Sequence, residues 1–338
     1  MKALFLLRTG NIEELKNNLE LRNIDIPECS EDEVLIKISF AALNHRDLWI
    51  TKGLYAGIKL PVVLGSDCSG IIESKGANCN EFSLGDEVIV NPGFNWGDDE
   101  NFQCRDFKIL GLPDNGTLRE YIAVNKKNVF KKPSHLSLEQ SAALPLAGLT
   151  AYRALFRRAG AKKNNSVLIT GIGGGVSQMA MIFALATGCD IYFTSGDDDK
   201  IAEAQKMGAR NGVNYNSPDW EKEILKLSGG IDIVIDGTGG DILNKCLDVV
   251  KPGGTIVNYG ATLGNIREFA TRKLFWKQIN LLGSTMGSDK DFAEMIDFVI
   301  KNNIQPVIKD MFKFKETADA FMQMEKRKQF GKIIIKIA

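Results

Sequence analysis

Hydrophobic and polar positions change rhythm partway along this chain. Up to about residue 130, short alternating segments such as EVLIKISFAAL, SGIIESKG, GDEVIVNPG and TLREYIAVN are separated by glycine and proline turns. That pattern predicts a β-rich region with irregular connections. The opening run MKALFLLRTGN is apolar only as far as Arg8. It is too short for a signal-peptide core and reads as a strand. From about Ser137, SLEQSAALPLAGLTAYRALFRRAG predicts two helical segments broken near Pro145. Strands and helices then alternate: SVLITG, the apolar helix QMAMIFALA, DIYFTSG, the helix DDDKIAEAQKMG, IDIVIDGTG, a helix from Asp241, GTIVNYG and NLLGSTMG. Such alternation predicts an α/β, doubly wound parallel sheet. After the helix DKDFAEMIDFVIKN come two strand-like pieces, PVIKDMFKF and KIIIKIA. The parallel sheet does not need them, and they can return to complete the β structure of the first region.

The sharpest chemical signal lies where the strand ending at Ile169 meets the apolar helix. The turn between them carries Gly171, Gly173, Gly174, Gly175 and then Val176. A strand feeding a glycine-rich turn at a helix N-terminus suits a dinucleotide pyrophosphate. Backbone N–H groups and the positive helix end face the phosphates, and glycine lets the backbone approach closely. The alternative is a plain tight turn.

The next strand, IYFT, bears on which dinucleotide binds. An acid at its tip would grip the ribose hydroxyls of NAD, whereas the 2′-phosphate of NADP excludes that charge. The tip here is Ser195-Gly196. Ser195 can donate to a 2′-phosphate and Lys200 can reach it as a point charge, so the expectation is NADP(H). Asp197, Asp198 and Asp199 follow directly. They read either as a helix cap with favourable dipole charges or, if one points back into the pocket, as a preference for NADH. Gly260, Ala261 and Thr262 follow the GTIVNY strand, whose C-terminal end belongs at the cofactor crevice.

Composition narrows the partners more than the chemistry. The chain has 338 residues, 44% hydrophobic and 25% charged, with 42 basic and 42 acidic side chains. That size suggests about two domains. Balanced charge offers nothing to recruit nucleic acid or an anionic membrane, and the basic stretch KRKQFGK is no larger than a solvated helix end. No segment approaches the ~18 uninterrupted apolar residues of a membrane span, so the default location is cytoplasmic. Cys29, Cys68, Cys79, Cys104, Cys189 and Cys246 form no CxxC pair and read as reduced thiols. His45 and His135 are the only histidines.

In sequence order, NHRDLWITKGLY, LPVVLGSDCSGIIESKG, GDEVIV, GLTAYRAL, LITGIGGGVS and GKIIIKI make the whole chain resemble the medium-chain dehydrogenase/reductase superfamily. The resemblance implies a GroES-like β-rich catalytic domain from residues 1–147 and 288–338. It implies a Rossmann domain from residues 148–287, an active site in a cleft, and commonly a homodimer. Asn44, Ser66 and Leu146 stand where zinc-dependent members carry cysteine, histidine and cysteine, and the lobe that normally holds four cysteines keeps Cys104 alone. Amide, hydroxyl and alkyl groups do not replace thiolate and imidazole at zinc, so neither zinc is expected.

Asn44 instead resembles the zinc-free, quinone oxidoreductase-like branch, where Lys200 and Tyr215 match contacts to the NADPH 2′-phosphate. His45 matches a pyrophosphate contact, against the reading of a surface histidine. Thr150 and Ser284 match positions near the nicotinamide. Ser177 replaces a customary last glycine, adding a side chain at the strand–helix contact. Asn44 is the first candidate for a donor near the nicotinamide or the substrate oxygen, against the reading of a loop amide bonding backbone. Arg46, at a proton-relay position, either binds an anionic substrate or points to solvent. Tyr55 lines the pocket or packs. Asp67 is the weaker acid candidate.

Without a Lewis acid, alcohol oxidation loses its electrostatic support, whereas a conjugated acceptor spreads the charge it receives. The expected activity is NADPH-dependent reduction of a quinone, enone or similar conjugated carbonyl. The alternatives are an alcohol or aldehyde dehydrogenase with an atypical zinc site using Asp67 and His45, and an NADPH-binding protein without turnover.

Overall fold

The computed structural model covers residues 1–338 and divides into two compact units, Met1–Ala147 with Gly287–Ala338, and Gly148–Met286. In the first unit the long strand Glu33–Ala42 is the hub of a seven-stranded sheet. It pairs antiparallel with Asp67–Lys75, with Tyr121–Asn125 and with the last strand, Lys332–Lys336. The last strand lies parallel to Ile308–Lys313, so both strand-like tail pieces join this sheet. Val34, Ile36, Ile38, Ile72, Val88, Ile122, Ile333 and Ile335 are buried in its core. Each fully buried isoleucine is worth about 2 kcal/mol of apolar transfer, and the β-branched side chains suit a pleated surface. A methyl group on Gly70 would lie 2.2 Å from the Lys37 carbonyl, so the central strands approach too closely there for any side chain. A smaller sheet places Lys2–Leu6 between Leu19–Asn23 and Val62–Val63.

The second unit is a six-stranded, all-parallel sheet. Its spatial order is Asn211–Asn214, Asp190–Ser195, Ser166–Ile169, Ile231–Asp236, Val250–Asn258 and Asn280–Gly283. The chain reverses direction of travel across the sheet beside Ser166–Ile169, the strand that feeds the glycine turn. This is the switch point where such sheets bind ligands. The edge strand Asn211–Asn214 and the helix Trp220–Ser228 have no counterpart among the elements that the sequence pattern predicts. A four-residue NGVN strand has too little alternation and two asparagines. The helix pair predicted around Pro145 is Leu138–Ala143 and Pro145–Tyr152, and it continues as a π-helical turn, Arg153–Arg158.

Candidate active site

In the first unit, the strand Glu33–Ala42 runs into the short helix His45–Thr51, whose N-cap is Asn44. Asp47 fixes this start by accepting from the Asn44 backbone N–H at 2.9 Å. The Asn44 side chain is therefore free to turn inward, where Nδ2 donates to Asp67 Oδ2 at 2.9 Å and Oδ1 accepts from Lys332 Nζ at 2.6 Å. An amide between a carboxylate and an ammonium has only one sensible orientation. Lys332 spends its three N–H groups on Asn44 Oδ1, Asp67 Oδ2 at 2.9 Å and the Leu43 carbonyl at 2.9 Å. Asp67, fully buried, also accepts from the Leu146 backbone N–H at 2.8 Å. This cluster is closed: every charge has a partner, and one amide N–H of Asn44 is left over.

Arg46 does not point to solvent. Its side chain is buried, and Nη1 donates to Ser66 Oγ at 2.8 Å and to the Leu110 carbonyl at 2.9 Å. Its guanidinium lies over the ring of Tyr55, 5.2 Å from the centroid. Ser66 Oγ in turn donates to the same Leu110 carbonyl. His45 is pushed down to a pKa of about 4, first by burial and then by the positive charges of Arg327 and Lys332. It is a neutral imidazole at pH 7.

The three positions that the resemblance equates with zinc ligands are thus occupied otherwise. Asn44 is bonded to Asp67 and Lys332, Ser66 to Arg46 and Leu110, and Leu146 offers only an alkyl group. Nowhere do three His, Cys, Asp or Glu side chains group to hold a metal ion, His45 and Asp67 included. Two fixed cations also contact these residues directly, and a divalent ion there would meet their repulsion. The residues present do not fit zinc. In the lobe around residue 100, Trp96 packs edge-on against Phe107 with centroids 5.2 Å apart. Its indole N–H donates to the Asp99 carbonyl, and Cys104 bonds back to Trp96 and Asn95 through its backbone N–H and its thiol. An aromatic pair and local hydrogen bonds hold this loop.

In the second unit, Gly171 turns the chain at φ +63° and its N–H donates to Thr194 Oγ1. The helix Gly175–Thr187 then starts with Gly174 as N-cap and no capping side chain. Its first-turn N–H groups, with Val176 among them, are left for a ligand, as a phosphate requires. Ser177 is buried and bridges the Thr170 carbonyl at 3.1 Å and the Tyr259 hydroxyl at 3.0 Å. The extra side chain therefore ties the glycine turn to the end of the strand Val250–Asn258, the second strand over in the sheet. Asp236, fully buried at the tip of Ile231–Asp236, holds the rest of the crevice. It accepts from Thr170 Oγ1, from the backbone N–H and Oγ1 of Thr238, from the Gly239 N–H and from Asn258 Nδ2.

At the neighbouring strand tip, Ser195 Oγ accepts from the Asp197 N–H and the Ser195 carbonyl accepts from the Tyr215 N–H. The Tyr215 ring lies so close over Gly196 that a methyl group there would come within 2.5 Å of its hydroxyl. Ser195, Gly196 and Tyr215 thus form one patch, with Lys200 in the first turn of the helix Asp198–Lys206 beside it. Asp197 caps that helix through the Asp199 and Lys200 N–H groups, and Asp198 accepts from Asn214 Nδ2. Two of the three acids are committed to local structure. Thr150 is buried with its hydroxyl 3.9 Å from Met286 Sδ, and the Ser284 N–H bonds the Asn258 carbonyl while its buried Oγ has no partner. Thr262 Oγ1 donates to the Gly237 carbonyl, and Gly260 lies so close to that carbonyl that a side chain would meet it. Gly264 closes a turn back onto the Ala261 carbonyl.

Sequence reasoning missed three residues that organise these sites, Lys332, Asp236 and Tyr259. A lysine directly after a glycine in an otherwise apolar final strand was the available hint for Lys332. An aspartate ending an apolar strand was the hint for Asp236.

Residues 30–134 match the family model described as alcohol dehydrogenase GroES-like domain, and residues 175–301 match the one described as zinc-binding dehydrogenase. The chain is 37% identical to the zinc-type alcohol dehydrogenase-like protein YogA of Leptosphaeria maculans, over 94% of both proteins. It is 27% identical to quinone oxidoreductase-like protein 2 of Bos taurus, over 96% of this chain and 90% of that one. A crystal structure of an NAD-dependent alcohol dehydrogenase superposes on the whole of both chains with a TM-score of 0.92 and 33% identity. With a GroES-like domain, a Rossmann-type parallel sheet and relatives of this similarity along its full length, the chain belongs to the medium-chain dehydrogenase/reductase superfamily.

Proposed function

We propose that this oxidoreductase uses NADPH to reduce a quinone, an enone or a similar conjugated carbonyl, and that it does so without a metal. The observation that carries this reading is the filling of the ligand positions by Lys332 and Arg46, which bond to Asn44 and Ser66. Bound NADPH supplies the hydride. The glycine turn from Gly171 to Val176 holds the pyrophosphate, with His45 as a neutral partner. Ser195, Lys200 and Tyr215 receive the 2′-phosphate. Thr150, Ser284 and the segment Gly260, Ala261 and Thr262 position the nicotinamide end. Asn44, clamped by Asp67 and Lys332, presents its remaining amide N–H as a preorganised donor to the acceptor oxygen, where charge develops as hydride arrives. Asp67 works as a positioning residue, because its oxygens are already committed to three donors. Arg46 and Tyr55 complete the acceptor side.

A homodimer accompanies this reading. The strand Asn280–Gly283 is an open, exposed sheet edge, with Trp276 80% and Phe275 64% exposed just before it, a surface that a second copy would cover. All six cysteines are free, which suits a reducing, cytoplasmic setting. The second reading, an NAD-dependent alcohol dehydrogenase, draws on the name of the similar crystal structure and on Asp199, the acid left without a local partner.

The deciding experiment follows NADPH and NADH oxidation side by side with quinones, enones and aldehydes, with and without chelator, alongside metal analysis of the protein. NADPH-linked turnover of conjugated acceptors, unaffected by chelator and without stoichiometric zinc, is expected. NADH preference with chelator-sensitive alcohol oxidation would replace this reading with the second.

A further inference from the structure

Arg46 carries a charge that the protein leaves incompletely answered. Its hydrogen bonds all run through Nη1, to the neutral acceptors Ser66 Oγ and Leu110 O. Its Nε is buried without a partner, in a residue only 9% exposed. The nearest carboxylate, Asp47, has Oδ1 3.9 Å from Nη1, outside hydrogen-bond reach. Asp47 spends Oδ2 on the Asn44 N–H, and its own Oδ1 is also without a partner. The second buried cation nearby, Lys332, is by contrast fully bonded. A buried guanidinium held by one nitrogen and lacking a direct anion is costly unless something completes it.

The free part of the group says what would complete it. With Nη1 occupied, the remaining donors lie along the Nε–Nη2 edge, two parallel N–H groups on one side of a plane. That fork matches the two oxygens of a carboxylate better than the single oxygen of a ketone. The guanidinium carbon lies over the Tyr55 ring, 5.2 Å from its centroid, a cation–π contact. Tyr55 belongs to a segment mostly open to solvent, flanked by Gly53 at φ +74° and Gly57 at φ +70°, with open space at Gly57.

We propose that Arg46 is the receptor for a carboxylate on the acceptor substrate, so that the preferred acceptors are conjugated carbonyl compounds bearing an acid group. This rests on the reductase reading above and deepens it. Charge-assisted, two-point pairing in a partly dry site is worth roughly 10- to 100-fold in binding.

The test pairs benzoylacrylate with its methyl ester, an acid and a neutral enone of the same core, under NADPH-linked turnover. The acid is expected to have a kcat/KM at least roughly tenfold above the ester, with the difference in KM. In Arg46→Gln that acid-to-ester ratio should fall to near one, and in Arg46→Lys, which keeps charge without the fork, it should lie between. In parallel, calorimetry measures the binding of the unreactive product benzoylpropionate to the NADP-loaded protein, which should weaken by a similar factor in Arg46→Gln. Thermal melting checks that the variant folds, and if it does not, Arg46→Lys carries the comparison. A ratio near one in the parent protein, or a ratio unchanged in both variants, overturns the proposal. If no acceptor is reduced at all, the reductase reading fails, and the calorimetric arm alone still decides whether Arg46 binds a carboxylate.

Discussion

Lys332 Nζ lies 2.6 Å from Asn44 Oδ1, although the two residues are 288 positions apart in sequence. The same ammonium lies 2.9 Å from Asp67 Oδ2, with side chains 5% and 0% exposed. A buried pair of this kind is costly to break from one side only, because the remaining charge is stranded. Lys332→Met should therefore destabilise the protein by roughly 3 kcal/mol, read from denaturant midpoints. Adding Asp67→Asn removes the stranded charge and should recover much of that loss. A double variant no better than the sum of the singles would show that the two residues do not act as a pair.

The cofactor patch makes a selective prediction. Lys200→Ala should raise KM for NADPH by about tenfold, the range of one charge-assisted contact, and leave KM for NADH nearly unchanged. An equal rise for both nucleotides would mean that Lys200 supports the helix start and does not face the 2′-phosphate. Gly196→Ala should damage the same patch by displacing Tyr215, whose ring occupies the space that the new methyl group needs.

Asp236 gathers five donors at the tip of its strand. Asp236→Ala leaves Thr170, Thr238 and Gly239 without this acceptor and leaves Asn258 with its bond to the Gly260 carbonyl, and should cost about 3 kcal/mol. Because these residues shape the crevice next to the glycine turn, the variant should also lose nucleotide affinity, measurable by quenching or calorimetry on the folded fraction. Full stability in Asp236→Ala would contradict this assignment.

His45 predicts an acid limb to stability. Its folded pKa of about 4 lies below the ordinary 6.5 because burial and the charges of Arg327 and Lys332 oppose protonation. The unfolded chain takes up a proton first as pH falls. The associated stability is therefore full above about pH 6.5 and drains away toward pH 4, up to about 3 kcal/mol in all. Buried Asp47, whose carboxyl is raised by burial, works in the opposite sense. Melting temperatures at pH 7 and pH 5 should differ less in His45→Gln than in the parent, and an unchanged difference would remove His45 as the cause.

What could be read in advance follows the reach of each physical signal. The parallel sheet was legible because apolar strands and helices repeat locally, and the glycine turn because its function needs particular residues in a short run. The cap formed by Asp197 is legible for the same reason, and it is used by the Asp199 and Lys200 N–H groups. Lys332 was legible only as a lysine opening an apolar strand, since its partner Asn44 lies 288 positions away. Arg46 stands open between solvent and substrate in the sequence, because its burial depends on Ser66 and Leu110, 20 and 64 positions away. The π-helical turn Arg153–Arg158 lacks any sequence periodicity that would separate it from an ordinary helix.

The return of Lys332–Lys336 to the hub strand Glu33–Ala42 also sets an order of events during synthesis. The second unit is continuous in sequence, so it can close as soon as it clears the ribosome. The first unit must hold an open sheet edge, and a carboxylate without its cation, until the strand Lys332–Lys336 has been made. Its pairing is among the most non-local in the molecule, which slows folding, and the nascent protein is most exposed to edge-to-edge association at that stage. The strand Lys332–Lys336 therefore both seals the sheet and neutralises the pocket, so chaperone demand should fall on the N-terminal half while the second unit is being made.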